Sequence, residues 1–325
     1  MPPLYKALSS FLEADKINNL KKIGINNIIE FVEKDPEVLC CQSKISYKDI
    51  VKIRNVLLAQ YSALPQNGSD LYETCISSLA IFSTGCERLD SLLDGGIFNG
   101  EVTEFVGPPA SGKSQLCFSL AATVANESQR NVLYLDTNGT FSAERLQEIV
   151  SSHISNQEHI ELALQKIYCC PVQDIFQLLQ LLENISFNIS QQTNNFHSEL
   201  QLIILDAVTP VLAPHIGGKQ MDGLGLMVRL SQQLMFLASE HLLTVVVCNN
   251  TVQGEKGIIK PALGRYWQHV ASVTLKLGLP EERSGLTKME GYREASILKS
   301  CRRATGQSTL IRLSSMGVEG VHHKP

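Results

Sequence analysis

The run Gly107-Pro-Pro-Ala-Ser-Gly-Lys-Ser114 places two glycines, a lysine and a hydroxyl at the spacing G-x-x-x-x-G-K-S, the pattern of a phosphate-binding loop. Glu101–Val106 before it reads as a short strand. Ser114 to about Asn126 after it reads as a helix with Leu116, Leu120, Ala121 and Val124 on one face. Strand, loop and helix N-terminus in that order make an anion cradle: backbone N–H groups of residues 109–114 point inward and the helix dipole favours negative charge. Lys113 can reach the outer phosphates of a nucleoside triphosphate, and the Ser114 hydroxyl can hold Mg²⁺. Gly107, Pro108, Pro109, Ala110, Ser111, Gly112, Lys113, Ser114 and Gln115 are the candidate nucleotide-binding residues, with ATP and Mg²⁺ as the expected ligands.

The site needs a second half. Leu202-Ile-Ile-Leu205 is an apolar strand pattern ending in Asp206, whose carboxylate can position Mg²⁺ through water or through Ser114. The intervening strand Asn131–Leu135 predicts that the strands leading to Lys113 and to Asp206 are not adjacent in the sheet. That favours an ATPase that activates water over a nucleotide kinase. Such an ATPase needs a carboxylate to orient and deprotonate the water. Its natural place is the end of the neighbouring strand, Tyr134-Leu-Asp-Thr-Asn-Gly-Thr-Phe141.

These groups must be held by a sizeable core. The chain has 325 residues, of which 44% are hydrophobic and 18% charged, a composition that suits a globular protein of one large domain or two unequal ones. No run approaches the ~20 apolar residues that span a bilayer, so no membrane partner is expected. The opening Met-Pro-Pro-Leu-Tyr-Lys has no apolar signal core, which predicts a chain that is not secreted. The nine cysteines show no zinc spacing and read as reduced, small core hydrophobes. Net charge is −4, against a surface that coats nucleic acid generally. The charge is uneven: from Gln253 onward there are 12 Lys and Arg against 6 Asp and Glu. That basic region fits a phosphate backbone, a solvated face or an acidic docking partner.

Residues 1–60 read as helical, with Ile17, Leu20, Ile23, Ile28, Ile29, Phe31 and Val32 as apolar faces, Gly24 as a helix stop and Ser46 as an N-cap. Residues 61–80 read as a linker, since Tyr61–Asp70 gathers Pro, Asn, Gly and Ser. From 81 to 325 strands alternate with helices. Strands are expected at Asn131–Leu135, Lys166–Cys170, Gln201–Leu205, Thr244–Cys248, Ala271–Leu277, Ala295–Lys299 and Thr309–Leu313. Helices are expected at Ile175–Phe187 and Gly223–Ser239. Gln191–Glu199 reads as a surface loop, and Gly278–Arg293 as a polar connection. The fold class is α/β, a mainly parallel twisted sheet covered on both faces, plus a small all-α N-terminal domain.

With these residues in place, the chain resembles the eukaryotic RecA-like strand-exchange recombinases. Leu133–Phe141 looks like their Y-I-D-T-E-G-T-F element. Ser83-Thr-Gly-Cys-Glu-Arg-Leu-Asp90, with Gly95-Gly96 and Gly100-Glu101-Val-Thr-Glu104, is similar to their entry into the phosphate-loop strand. Phe141–Leu146 resembles F-x-P-E-R-L. Lys260-Pro-Ala-Leu-Gly264 followed by Trp267, and the run Val56–Tyr72, look like the recombinase paralogues rather than the strand-exchange enzyme itself. The resemblance covers most of the chain. It implies a RecA-type ATPase core over 81–325 and a helix-hairpin-helix-like N-terminal domain.

The departures from the family pattern bear on chemistry. The family's water-activating Glu corresponds to Asn138, an amide that can hold water but cannot act as a general base. General bases contribute ~10²–10⁴-fold, so slow hydrolysis is expected unless another residue such as Asp136 substitutes; the competing role for Asp136 is to cap the strand end. The family's γ-phosphate-sensing Gln corresponds to Asn250, one methylene shorter. Lys113, Asp206, Asn138 and Asn250 are thus the candidate catalytic positions, with Ser114 and Asp206 for Mg²⁺. In the N-terminal domain, Gln42-Ser-Lys-Ile-Ser46 stands where the family has K-G-I-S. Lys44 replaces the hairpin glycine, which shifts the reading from DNA contact toward protein docking.

Two loops of the resembling recombinases bind single strands, and by position they map to about Pro214–Asp222 and Thr251–Leu263. The expected contributors are Lys219, Lys256, Lys260, Arg265, Arg302 and Arg303, with ordinary solvated charge as the competing reading for each. Single-stranded DNA binding by this chain alone is expected to be weak. Trp267 is expected to pack in the core or to lie beside the second loop. Tyr61-Ser-Ala-Leu64 could present an aromatic to a neighbouring subunit, and His322-His323 reads as tail rather than metal ligand. The resemblance implies an ATP-binding subunit of a nuclear recombinational DNA-repair complex. Other recombinase paralogues would bind it, one through the N-terminal domain and another through the ATPase domain. The competing expectations are a self-sufficient DNA-dependent ATPase with strand exchange and an unrelated phosphate-loop enzyme such as a small-molecule kinase.

Overall fold

The computed structural model describes residues 4, 12–61, 65, 67–191, 195–216, 222–254, 259–280 and 291–321. The chain divides into two compact units, Met1–Ile76 and Ser77–Pro325. Among the described residues, no helix is long and apolar enough to cross a membrane.

The first unit is helical: α1 (Ala14–Lys22), α2 (Ile28–Glu33), α3 (Pro36–Ser43) and α4 (Tyr47–Tyr61). Local chemistry sets the helix starts. Asn27 and Glu30 form a reciprocal capping box on α2, Asp35 caps α3 ahead of Pro36, and the Ser46 hydroxyl accepts from the Asp49 N–H. The core is Leu12, Ile17, Leu20, Ile25, Ile28, Phe31, Leu39, Ile45, Ile50, Ile53 and Leu57, with Leu4. Ile29, expected on an apolar face, is exposed. Lys44 sits between α3 and α4 at φ +60, so this lysine adopts the left-handed backbone that a hairpin glycine would supply.

The stretch 61–80, expected as linker, contains α5 (Gly68–Ser78), and the unit boundary falls inside it. The Gly and Pro punctuation holds only up to Gly68, after which Asn67 accepts from the Ser69 N–H and starts a helix. The Tyr61–Leu64 reading concerns side chains outside the described residues, as does His322-His323.

The second unit is built on a nine-stranded sheet among the described residues. Its strands are β3 (Val102–Val106), β4 (Asn131–Asp136), β5 (Ile167–Pro171), β6 (Leu200–Asp206), β7 (Thr244–Asn249), β10 (Val273–Gly278), β11 (Tyr292–Lys299), β12 (Ser308–Ser314) and β13 (Gly317–Gly320), in the order β13-β12-β11-β10-β3-β7-β6-β4-β5. From β10 to β5 all pairs are parallel; β11, β12 and β13 extend the sheet antiparallel. Two short ribbons flank it, β1 (Ile81–Phe82) with β2 (Ile97–Phe98), and β8 (Thr251–Gln253) with β9 (Ile259–Pro261). The strands of the loop and of Asp206 are indeed not adjacent. The strand between them is β7, however, and not Asn131–Asp136, which lies on the far side of β6.

Both sheet faces are buried, so the central strands read as continuous apolar runs with side chains alternating between two cores. Val132, Tyr134, Leu202, Ile204, Val246 and Cys248 face α6 (Glu87–Leu92), α7 (Lys113–Glu127), α8 (Ala143–His153) and α9 (Gln157–Gln165). Leu133, Leu135, Ile203, Leu205, Val245 and Val247 face α10 (Ile175–Gln191), α12 (Val208–Leu212), α13 (Asp222–His241) and Trp267 at the end of α14 (Gly264–Trp267). Within Gln191–Glu199, expected as loop, the short helix α11 covers Asn195–Ser198. Cys86, Cys117 and Cys248 are buried as expected, but Cys41, Cys75, Cys169 and Cys301 are exposed. Cys169 lies on β5, the edge strand of the sheet.

Candidate nucleotide site

Every candidate catalytic position lies at the carboxyl edge of the parallel strands, where α/β sheets bind ligands. The phosphate loop follows β3, Asn138 follows β4, Asp206 ends β6, and Asn250 follows β7. The loop is closed by its own chemistry. A Cβ on Gly107 would lie 2.4 Å from Ser111 Oγ and 2.5 Å from the Leu277 carbonyl oxygen, so only glycine lets the strand leave the sheet there. The Gly107 N–H donates to the Asn249 carbonyl at 3.3 Å.

Lys113 is buried at the start of α7. Its Nζ donates to the Gly107 carbonyl at 2.8 Å and the Pro108 carbonyl at 3.1 Å, so it lies back on its own loop. Burial pushes its pKa below the ordinary lysine value, with Cys248 and Asp206 acting in the opposite sense. A triphosphate would supply the anion this ammonium lacks. Ser111 Oγ is also buried and has no hydrogen-bond partner among the described residues. An inward hydroxyl and a desolvated cation fit a polyanionic ligand.

Asp206 is buried, and its Oδ2 accepts the Tyr134 hydroxyl at 2.7 Å. Burial drives the Tyr134 phenol far above its ordinary pKa, which makes it a neutral, fixed donor. It is held in a ring cluster with Phe118 and Phe141. Sequence reading passed over Tyr134; a polar group inside an apolar strand beside the acid's strand was the available signal.

Asp136 is engaged by the backbone. Its Oδ1 accepts from the N–H groups of Asn138, Gly139 and Thr140 at 3.0, 2.9 and 3.3 Å, and Oδ2 from Phe141 at 2.9 Å. This is the strand-end cap weighed against a base role. Asn138 itself is exposed.

Asn249, which sequence reading also passed over, is fully buried. Its Nδ2 donates to Glu104 Oε1 at 2.8 Å and to the Ala262 carbonyl at 3.1 Å, and its Oδ1 accepts from Thr209 Oγ1 at 2.9 Å. The neighbouring Asn250 is anchored through its backbone, its N–H to Thr209 Oγ1 and its carbonyl to the Ala262 N–H. Trp267 packs in the core and donates Nε1 to Glu104 Oε1 at 2.9 Å. Burial raises the Glu104 pKa, opposed by hydrogen bonds from Asn249, Trp267 and Thr274.

The expected DNA residues separate. Lys260 on β9 and Arg265 on α14 are exposed near the carboxyl edge, and Tyr266 beside them is 67% exposed, an aromatic that sequence reading did not single out. The second loop is not open throughout, since Thr251–Gln253 pairs with Ile259–Pro261. Lys219 and Lys256 lie outside the described residues. Arg302 and Arg303 are not brought to this edge. Arg302 pairs with Glu101, before the opposite end of β3, and covers the Phe98 ring at 3.7 Å. Arg303 pairs with Asp94 at 2.9 Å. Both arginines are thus engaged away from the edge that carries Lys260 and Arg265.

A cavity of about 790 Å³, lined by Ser83, Glu87, Thr123, Asn126 and His153 among others, lies elsewhere. It opens at the far half of α7, roughly 15 Å along the helix from Lys113.

Residues 76–286 match the family described as Rad51, and residues 1–60 match the one described as RAD51D, N-terminal domain. The chain is 40% identical over 318 residues to a Bos taurus protein called DNA repair protein RAD51 homolog 4, covering 98% of this chain and 97% of that one. A Mus musculus protein of the same name is 39% identical over 320 residues, again with 98% and 97% coverage. Among solved structures, the crystal structure of the RadB recombinase superposes with a TM-score of 0.61 at 26% identity, over 74% of this chain and all of that one.

Proposed function

The chain belongs to the Rad51 family, and from that premise we propose that it is an ATP-binding subunit of a nuclear recombinase-paralogue complex. It is a RAD51 paralogue of DNA repair and recombination, in the D-type branch. In the proposed role it promotes recombinase assembly on single-stranded DNA and hydrolyses ATP slowly.

The observation that carries this reading is the division of labour at the strand ends. Lys113, Ser111 and the loop amides are arranged to receive phosphates, whereas the position for a water-activating acid holds Asn138. Asp136, the nearest substitute, already accepts four backbone N–H groups. Ser114 and Asp206 would hold Mg²⁺, which when bound neutralises phosphate charge. Tyr134 fixes the Asp206 carboxylate by donating to Oδ2, and the acid so held would position Mg²⁺ directly or through water. Asn138 can orient water but cannot take its proton. The nucleotide then acts chiefly as a structural ligand, stabilising a contact with a neighbouring paralogue.

Other recombinase paralogues are the proposed partners, one reached through the N-terminal unit and another through the ATPase unit. Weak single-strand contact is assigned to Lys260, Arg265 and Tyr266, since base stacking on an aromatic beside cations is what such binding uses.

Two measurements test this: Mg·ATP binding by calorimetry, and steady-state turnover with and without single-stranded DNA. Tight binding with turnover far below ~1 s⁻¹ is expected. An empty pocket at saturating Mg·ATP, in the lone chain and in its complex, overturns the reading. DNA-stimulated turnover at ~1 s⁻¹ or above would favour a self-sufficient ATPase.

A further inference from the structure

We infer that Arg293 is a positioning residue of the nucleotide site, clamping the tip of the phosphate loop from outside the parallel core. The inference rests on the nucleotide reading above. β11 is separated from β3 by β10 and runs antiparallel to β10, with Glu294 opposite Gly278. That register carries the start of β11 to the loop end of the sheet. There Arg293 Nη2 and Nε both donate to the Ala110 carbonyl, at 3.0 and 3.3 Å, while Nη1 donates to the Tyr292 carbonyl at 2.8 Å. Ala110 sits at φ +60, a left-handed conformation that the Cβ of an alanine disfavours. A planar guanidinium forked onto its carbonyl favours that conformer over its competitors.

Two more contacts tie the same extension to the same loop. A Cβ on Gly112 would lie 2.9 Å from Leu313 Cδ1, so this β12 side chain packs directly on the loop's second glycine. Arg145 joins Gln115, through Nε at 2.9 Å, to the β12–β13 turn, through Nη1 to the Ser315 carbonyl at 2.7 Å and Nη2 to the Ser314 carbonyl. Gly291 lets β11 approach closely enough: it lies at φ +86, and a Cβ there would stand 2.7 Å from the Leu313 carbonyl oxygen. The loop is therefore gripped at Ala110, Gly112 and Gln115 by residues of, or bound to, the antiparallel strands. A loop that must present its amides to phosphates binds more weakly in proportion to the time it spends elsewhere. Of these contacts, Arg293 is the one that acts on the loop's strained residue.

The test uses the full chain with Arg293→Ala and Arg293→Lys. Hydrogen exchange of the amides of residues 110–112 is followed without nucleotide, and Mg·ATP and Mg·ADP affinities are measured by calorimetry. Arg293→Ala is expected to speed exchange at these amides and to weaken both nucleotides alike, each by about tenfold, near the worth of one charge-assisted hydrogen bond. Arg293→Lys keeps the charge without the fork and should recover only part. Unchanged exchange in nucleotide-free Arg293→Ala overturns the clamp. So does a loss confined to Mg·ATP, which would make Arg293 a contact to the terminal phosphate. If the wild-type chain bound neither nucleotide, the nucleotide reading would fall while the exchange data still judged the clamp.

Discussion

Glu104 and Asn249 face each other across adjacent strands, the Asn249 Nδ2 donating to Glu104 Oε1 at 2.8 Å in a fully buried setting. Glu104 lies three residues before the phosphate loop. Through the one amide of Asn249 it is joined to Thr209 on α12 and to Ala262, near the end of the second loop. The strand that enters the phosphate loop, α12 and the second segment expected to meet DNA thus share a hydrogen-bonded node.

The charge on Glu104 is the weak point of that node. Burial holds its pKa above the ordinary 4.5, so in the folded chain it keeps its proton to higher pH than in the unfolded chain. Between the two values the folded state binds more protons, and stability falls as pH rises from about 4.5 to the raised pKa, then levels. Glu104→Gln keeps acceptors for Asn249 and Trp267 and removes the titration. Denaturant melts of both chains from pH 5 to 8 should show the variant gaining on the wild type as pH rises. A constant difference across that range would refute the burial account.

Asn138→Glu puts a carboxylate at an exposed position after β4 without disturbing the Asp136 cap, whose bonds are to backbone N–H groups. Turnover of the full chain should rise, by up to the ~10²–10⁴-fold that general bases contribute. No rise would mean that other parts of the water site are absent.

Asp136→Ala leaves four N–H groups without their acceptor. The expected loss is about 3 kcal/mol of unfolding free energy by chemical denaturation, with Asp136→Asn losing less because one oxygen remains. If Asp136→Ala instead keeps its stability and loses only turnover, Asp136 is a catalytic base after all.

Lys113→Ala removes a cation that burial disfavours in the nucleotide-free chain. Its melting temperature without nucleotide should equal or exceed that of the wild type, while Mg·ATP affinity drops by roughly a hundredfold or more. Co-purification with a partner paralogue should then lose its dependence on ATP. Retention of tight Mg·ATP binding would remove Lys113 from the site.

The alternation of strands and helices was legible because both faces of the sheet are covered, and Leu202–Leu205 or Val245–Cys248 can only be apolar there. The phosphate loop was legible because its glycines answer to backbone geometry. Sheet order was not, since sequence adjacency of Asn131–Asp136 to the loop says nothing of β7 entering between β3 and β6. The roles of Tyr134, Glu104 and Asn249 were not legible because a lone polar residue in an apolar strand has no spacing rule; only its partners, up to 170 residues away in the chain, give it meaning. The pairing of Arg302 with Glu101 and of Arg303 with Asp94 was not legible because a charge count carries no partners.

Because Asp136 grips amides and no side chain of the turn it organises, the shape of that turn is indifferent to what residue 138 is. Scaffold and side chain are separable at this point: an acid there can be exchanged for an amide while the backbone bonds that shape the turn stay whole. A turn built in this way can change the residue at its tip in a single codon and keep its form.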